Sequence, residues 1–508
     1  MLAPFRRYVR CTSCARCTLR GNESGAGVRA RGAGVLIGVL AGAGIMVSLM
    51  QTLVVPLVPS LPRLLHTTSA GASWVVTATL LTAAVTTPVL GRLGDMFGKR
   101  RIMLACAGSV AVGSVVCALS STLAPVIIGR ALQGAGIALI PLGISLMRDV
   151  VPGDRLGSGL AFMSSSLGVG GALGLPASAA IAEAFGWHAL FWTAAGLAAV
   201  FALLIRSVVP ESSVQVPGRI DVVGVLGLAA GLAAYLLGVS KGGEWGWGSA
   251  TTLSMFAIAV VVLLAWGWWE LRVQSPVLDL RTSARRPVLF TNLTGVGVGL
   301  AMYAMNLLSP QLLQLPEETG YGLHFGLLEA GLWMVPAGLV MMALSQVAAR
   351  MTAARGAKFS LLTGIGIIAA GNALAQAVLG HAWGVLLFTV SVSAGVAFAY
   401  AAMPTLIMQS VDPTQTAAAN GLNTLSRSLG TSTASAIIGA VLGQLTVTIG
   451  GVGYPSETGV RVTLAIGVGA ALLAFAVGSL IPRPLTGGTA RSEAHSPREK
   501  NRDRGVAR

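Results

Sequence analysis

The sequence predicts an all-α integral membrane protein with fourteen transmembrane helices. Three observations carry that expectation. Hydrophobic residues make up 54% of the 508 positions and charged residues only 10%, against about 25% charged in a soluble domain. The apolar residues gather into fourteen runs of about 20, the length that crosses ~30 Å of hydrocarbon. The 34 Lys and Arg residues lie mostly between alternate runs. A soluble enzyme is thereby excluded, because so few charges cannot cover a water-facing surface.

Taken in order, the predicted spans are 34–58, 72–90, 102–122, 124–147, 159–183, 187–208, 220–240, 249–270, 287–314, 325–347, 359–379, 382–409, 421–447 and 461–481. An even number puts both termini on one side. Assigning them to the cytoplasm places 29 of the 34 basic residues inside, leaving Arg63, Lys241 and Arg461 outside and Arg130 and Arg427 within spans. This positive-inside bias accounts for the net charge of +16 without any nucleic-acid partner. Trp187, Trp245, Trp247 and Trp383 fall at predicted outer span ends, as interfacial aromatic belts require.

Residues 1–31 read as a disordered, Arg-rich cytoplasmic tail without a removable signal peptide. The basic segment 483–508 reads as a second disordered tail. Cys11, Cys14 and Cys17 form a CxxCxxC without a fourth ligand, and neither a metal nor a cofactor is expected. Gly34, Gly38 and Gly42 recur every fourth residue in the first span, a stripe that lets a neighbouring helix approach closely.

The chain echoes itself faintly. Ser164-Ser165-Ser166-Leu167-Gly168 in the fifth span resembles Ser426-Arg427-Ser428-Leu429-Gly430 in the thirteenth. Both occupy the fifth span of a six-span half once spans seven and eight are set aside. The expected organisation is a six-span bundle at 32–210, a two-span insert at 211–280 and a second bundle at 281–482, an arrangement suited to transport around a central site.

The most informative segment joins spans two and three: Gly91-Arg92-Leu93-Gly94-Asp95-Met96-Phe97-Gly98-Lys99-Arg100-Arg101. It reads as a tight cytoplasmic turn, with glycines for the bend and one acid among four bases. The positive-inside bias explains the bases but not Asp95. Two partners are open to that carboxylate. One is Arg148 at the end of span four; the other is the positive N-terminal end of span thirteen, whose preceding loop carries no Lys or Arg. A contact made in one conformational state only would latch the halves together.

This segment resembles the signature loop of the major facilitator superfamily, G-x-L-a-D-r-x-G-r-k-x. Fourteen spans narrow the resemblance to that superfamily's drug:proton antiporter branch, in which two helices are inserted between two six-helix bundles. Gly129-Arg130-Ala131-Leu132-Gln133-Gly134 in span four looks like the family's second motif, whose arginine is linked to proton transfer. Gly170-Gly171-Ala172-Leu173-Gly174-Leu175-Pro176 in span five is similar to the exporter motif, although Leu175 separates Gly from Pro. There Gly170, Gly171, Gly174 and Pro176 favour a kink and close packing.

One departure from the family pattern bears on mechanism. The family commonly places an aspartate in the first span, and this chain has Gln51. No carboxylate is expected near a midplane, and Glu329 lies only a few residues into span ten. Arg130 and Arg427 are functional candidates because a charge inside a span is costly unless partnered. The embedded amides Gln51, Asn292, Asn306, Gln311, Gln314, Asn420 and Asn423 either line a cavity or join helices.

The resemblance implies a monomeric plasma-membrane transporter that works by alternating access and exports drugs or other hydrophobic, amphiphilic compounds against protons. The latch would comprise Gly91, Arg92, Gly94, Asp95, Gly98, Lys99, Arg100 and Arg148. The pathway would comprise Gln51, Arg130, Gln133, Glu329 and Arg427. The alternative is an exporter of an anionic or neutral metabolite without that coupling. No HExxH, GxSxG or intramembrane pair of carboxylates points to an enzyme.

Overall fold

The computed structural model describes residues 30–54, 57, 61–212, 220–449 and 452–482. Fourteen long helices follow one another along the chain: α1 (Ala30–Thr52), α2 (Ser69–Phe97), α3 (Lys99–Leu119), α4 (Leu123–Val150), α5 (Gly153–Phe185), α6 (Trp187–Val208) and α7 (Val222–Trp245) in its first part. α8 (Ala250–Glu270), α9 (Arg286–Gln314), α10 (Leu327–Arg355), α11 (Ala357–Ala375), α12 (Ala382–Met408), α13 (Thr416–Gln444) and α14 (Glu457–Ser479) complete it. Among the described residues, thirteen of these are apolar and long enough to cross a membrane, and α13 is the exception. Its Asn420, Asn423, Thr424 and Arg427 are buried against protein, where polar groups in a spanning helix can find partners.

Two helix bundles form around separate apolar cores. Leu40, Met103, Leu139, Leu142 and Leu190 belong to the core of α1–α6. Val298, Leu361, Ile365, Phe388 and Leu464 belong to that of α9–α14. The inserted α7 lies across both bundles: Leu228, Leu232 and Leu236 pack against Ala84 of α2 and Leu425 of α13. α8 packs on α7 and turns Val260, Val261 and Leu264 outward, as a lipid-facing helix does.

The bundles meet along two seams. At the first, glycines bring α2 and α13 to backbone contact: a Cβ at Gly91 would stand 2.8 Å from the Ala417 carbonyl oxygen, and one at Gly421 3.1 Å from that of Thr87. At the second, α5 lies against α10, with Gly331 on Pro176, Ala172 on Gly338 and Met341 on Gly168. Gly170 and Gly174 face Ser48 and Thr52 of α1, so the small residues of α5 serve two neighbours at once.

The spans are longer than predicted where the chain stays helical beyond the apolar run. The clearest case is the segment 91–101, which is not an extended loop. α2 continues through Phe97, α3 starts at Lys99, and Gly98 alone makes the turn at φ 103°. That backbone region is open to glycine and strained for other residues; Gly186 and Gly356 make the same one-residue turn between α5 and α6 and between α10 and α11.

Two further expectations change. Thr446–Ile449 and Val452–Pro455 form a two-stranded antiparallel hairpin between α13 and α14, because the β-branched run Thr446-Val447-Thr448-Ile449 suits a strand better than a helix end. The Gly34, Gly38, Gly42 stripe does not form a helix contact along its length. Among the described residues nothing lies within 4 Å of a Cβ at Gly34 or Gly38, while Gly42 meets Phe201 of α6. Cys11, Cys14, Cys17, residues 1–29 of the predicted N-terminal tail and the whole predicted tail 483–508 lie outside the described residues, whereas Ala30 and Arg31, read as tail, begin α1.

These contacts predict opposite outcomes for two glycines. A Cβ at Gly430 would collide with the Val296 backbone of α9, and overpacking typically costs ~1–3 kcal/mol. Gly430→Ala should lower the melting temperature of the detergent-solubilised protein by several degrees. Gly34→Ala, with open space and better helix propensity, should leave it unchanged or slightly raised.

Candidate functional site

The signature segment builds a buried charge cluster at the end of the molecule where Gly98 turns. Asp95 and Lys99 are one helical turn apart across Gly98 and are 2% and 0% exposed. Lys99 Nζ lies 3.6 Å from Asp95 Oδ1 and 2.6 Å from Asp149 Oδ2, at the end of α4. The Ser212 hydroxyl also donates to Asp149. A buried ammonium between two carboxylates has the partners that such burial demands.

The other oxygen of Asp95 reaches across the seam. Its Oδ2 accepts the Ala418 N–H at 3.1 Å, in the first turn of α13. The first N–H groups of a helix have no partner within it, and the helix dipole favours an anion there. Of the two partners open to Asp95 in the sequence, the structure selects the N-terminus of α13. Arg148 goes elsewhere: its Nη1 donates to the Thr416 hydroxyl at 2.6 Å, on the first residue of the same helix. Thus one end of α13 is held by an acid from α2 and a base from α4.

The rest of the segment secures α3 to the chain leaving α6. The Arg100 N–H donates to Glu211 Oε1 at 3.0 Å, and the Arg100 side chain donates to the Arg206 carbonyl. Gly94 admits Leu142 of α4, and Gly98 sits against Glu211. Arg92 is half-buried, with an Nε that has no hydrogen-bond partner.

The two intramembrane arginines occupy separate networks. Arg130 is 2% exposed and donates from Nε to the Val75 carbonyl at 3.2 Å and from Nη1 to the Met50 carbonyl at 3.2 Å. Nη1 also meets Gln133 Oε1 at 2.7 Å, and Gln133 Nε2 donates to Ser114 Oγ at 2.7 Å. One guanidinium thereby joins α1, α2, α3 and α4. Arg427 on α13 donates to Asn423 Oδ1 at 3.0 Å and to the Thr424 hydroxyl at 3.3 Å. Its guanidinium carbon lies 4.4 Å from the Tyr400 ring centroid, and Asn423 Nδ2 donates to Asn292 Oδ1 of α9 at 3.1 Å.

The remaining candidates are dispersed. Gln51 is half-buried near the end of α1, next to the Met50 carbonyl that Arg130 takes. Glu329 is exposed in the first turn of α10, at the end of the bundle opposite Gly98, and joins neither arginine network. Among the amides, Asn292, Asn420 and Asn423 are buried, whereas Asn306 and Gln314 are exposed. Among the described residues no group of three or more His, Cys, Asp or Glu side chains could hold a metal.

Several contributors were not picked out in the sequence. Asp149 follows Arg148 at the end of a span, and an acid among terminal bases was the available signal. Thr416, Ser212 and Tyr400 carried none, since each acts only through a partner more than 25 residues away.

The match to known proteins agrees with this architecture. The family model described as Major Facilitator Superfamily matches residues 40–435. The chain belongs to that superfamily. An uncharacterized MFS-type transporter, YvkA of Bacillus subtilis, is 28% identical over 420 residues, 81% of this chain and 91% of its own. The Tetracenomycin C resistance and export protein of Streptomyces glaucescens is 30% identical over 257 residues, covering 50% of this chain and 47% of its own. The crystal structure of the human organic anion transporter MFSD10 superposes with a TM-score of 0.62 at 18% identity, over 88% of this chain and 99% of that one; at that identity the likeness shows the fold. This is a multi-pass membrane transporter of the superfamily, with drug-resistance and export proteins among its relatives.

The Arg427 contact yields a graded prediction for this transporter. Tyr400→Phe keeps the aromatic face and should lower thermal stability little. Tyr400→Leu removes it and should lower stability by about 1–2 kcal/mol, the size of a desolvated cation–π contact. Thermal melts of the purified variants measure the difference.

Proposed function

We propose that this transporter exports hydrophobic or amphiphilic compounds in exchange for protons, working as a monomer in the plasma membrane by alternating access. It would then belong to the fourteen-span drug:proton antiporter branch. The observation that carries the reading is the contact of Asp95 with the N-terminus of α13. It joins one bundle to the other at one end of the molecule only, and so stabilises a single state of a two-state carrier. The positive-inside bias supports placing the Gly98 end and both termini in the cytoplasm. In that orientation the described conformation is closed to the cytoplasm.

Export is supported by the printed functions of relatives. Besides the tetracenomycin protein, a Multidrug resistance protein B homolog of Mycobacterium tuberculosis is 29% identical over 311 residues, 60% of this chain and 56% of its own. Arg427, held against Tyr400 in the polar stretch of α13, is the proposed substrate-facing charge. Arg130 and Gln133 hold the first four helices in register, with Gln51 beside them. Glu329 is left as a carboxylate at the far mouth of the pathway.

Inverted membrane vesicles, energised and loaded with a pH-sensitive dye, test this reading against cationic, neutral and anionic amphiphiles. Proton release on substrate addition is expected. A helix-terminal charge contributes up to ~2 kcal/mol in a partly buried setting, and ~1.4 kcal/mol is a tenfold change in a state ratio. Asp95→Asn, still inserted in the membrane, should therefore slow transport about tenfold. Unchanged transport by that variant would remove the latch; silence across the whole panel from folded protein would remove proton-coupled export.

A further inference from the structure

The inserted helices end at a cavity that lies directly behind the latch. It measures about 430 Å³ and has walls from three parts of the chain: Arg92 of α2, Glu270 with the following segment 273–283, and Gln415 and Ala418 at the entrance to α13. Ala418 is also the residue whose N–H binds Asp95. The cavity therefore shares a wall with the inter-bundle contact.

Two complementary groups that line this cavity each leave one buried polar atom without a hydrogen-bond partner. Glu270, the last residue of α8, is 3% exposed. Its Oε1 accepts the Leu278 N–H at 2.6 Å, while its buried Oε2 has no hydrogen-bond partner. The buried Nε of Arg92 likewise has none. An unpaired buried carboxylate oxygen and an unpaired guanidinium N–H are each costly, and more so for charged groups. Arg92 lies three residues before Asp95 on α2 and lines the same cavity as Glu270.

We propose that Glu270 is the partner Arg92 takes in the unlatched state, a positioning residue through which the inserted helices favour that state. When α2 separates from α13 it carries Arg92 with it, and the guanidinium closes onto Glu270, satisfying both orphaned atoms. The segment after Glu270 is tied to the same event. Asp279 accepts the Gln415 amide at 3.3 Å, so movement of the α13 entrance pulls on the chain that frames Glu270. The inference rests on the latch reading of Asp95 given above.

Spin labels at Asp154→Cys and Arg355→Cys, on the Gly98 ends of α5 and α10, report the latch through their separation in a full-length background whose other cysteines are replaced and which still transports. Glu270→Gln should raise the short-distance, latched population at least twofold, because the unlatched state loses its Arg92–Glu270 ion pair. Glu270→Asp should fall between Glu270→Gln and the wild type. The exchange Arg92→Glu with Glu270→Arg should restore the wild-type distribution better than either single change. A merely structural Glu270 would instead give equal populations in Glu270→Gln and wild type, or no rescue by the exchange; either result overturns the proposal. Asp95→Asn separates the two readings: if it shifts the distribution toward long distances while Glu270→Gln does nothing, only the role of Glu270 fails. If neither shifts it, the latch itself fails.

Discussion

A carboxylate placed against the start of a helix from the other bundle is the constraint around which this molecule is arranged. Asp95 can reach Ala418 only because Gly91 and Gly421 let α2 and α13 touch backbone to backbone. It keeps its orientation because Lys99 holds its other side, and Lys99 is itself held by Asp149. Arg148 secures Thr416, two residues away from Ala418 in the same turn. Each of these residues sits at a helix end, so the cluster binds helices to one another and leaves their lengths free.

The interior of each bundle solves a different problem. Arg130 is not paired with an acid; its donors go to carbonyls of Met50 and Val75 and to Gln133. Arg427 relies on Asn423, Thr424 and the face of Tyr400. Both charges stay ionised among neutral acceptors, which avoids burying a carboxylate beside them. Within the described spans the buried acids Asp95 and Glu270 both lie at helix ends near Gly98, consistent with Gln51 replacing an acid in α1.

The inserted pair is more than added lipid-facing surface. α7 covers the α2–α13 seam with Leu228, Leu232 and Leu236, and the Tyr235 hydroxyl is 2.5 Å from that of Thr433 on α13. Large apolar side chains make most of that contact, while Glu270 at the end of α8 lines the cavity that shares Ala418 with the Asp95 contact.

Much of this was legible in the sequence for a simple reason. Crossing hydrocarbon requires about 20 apolar residues whatever their neighbours, so the number and order of helices follow from composition alone. The glycines of 91–101 announce a turn, and only the structure shows that Gly98 makes it. The pull of Asp95 toward α13 was legible too, as one of two options, because the loop before α13 lacks any base. What the sequence could not decide was the choice between those options, the burial of Lys99 between two acids, or the pairing of Arg427 with Tyr400. It also read 91–97 as loop, since a helix rich in glycine is stable only when another helix packs against it. The sequence by itself determined the number and order of the long helices among the described residues and which residues are too polar to face lipid. Tertiary structure alone decided which of those residues meet, because hydrogen bonds and ion pairs act over a few ångströms between positions tens to hundreds of residues apart.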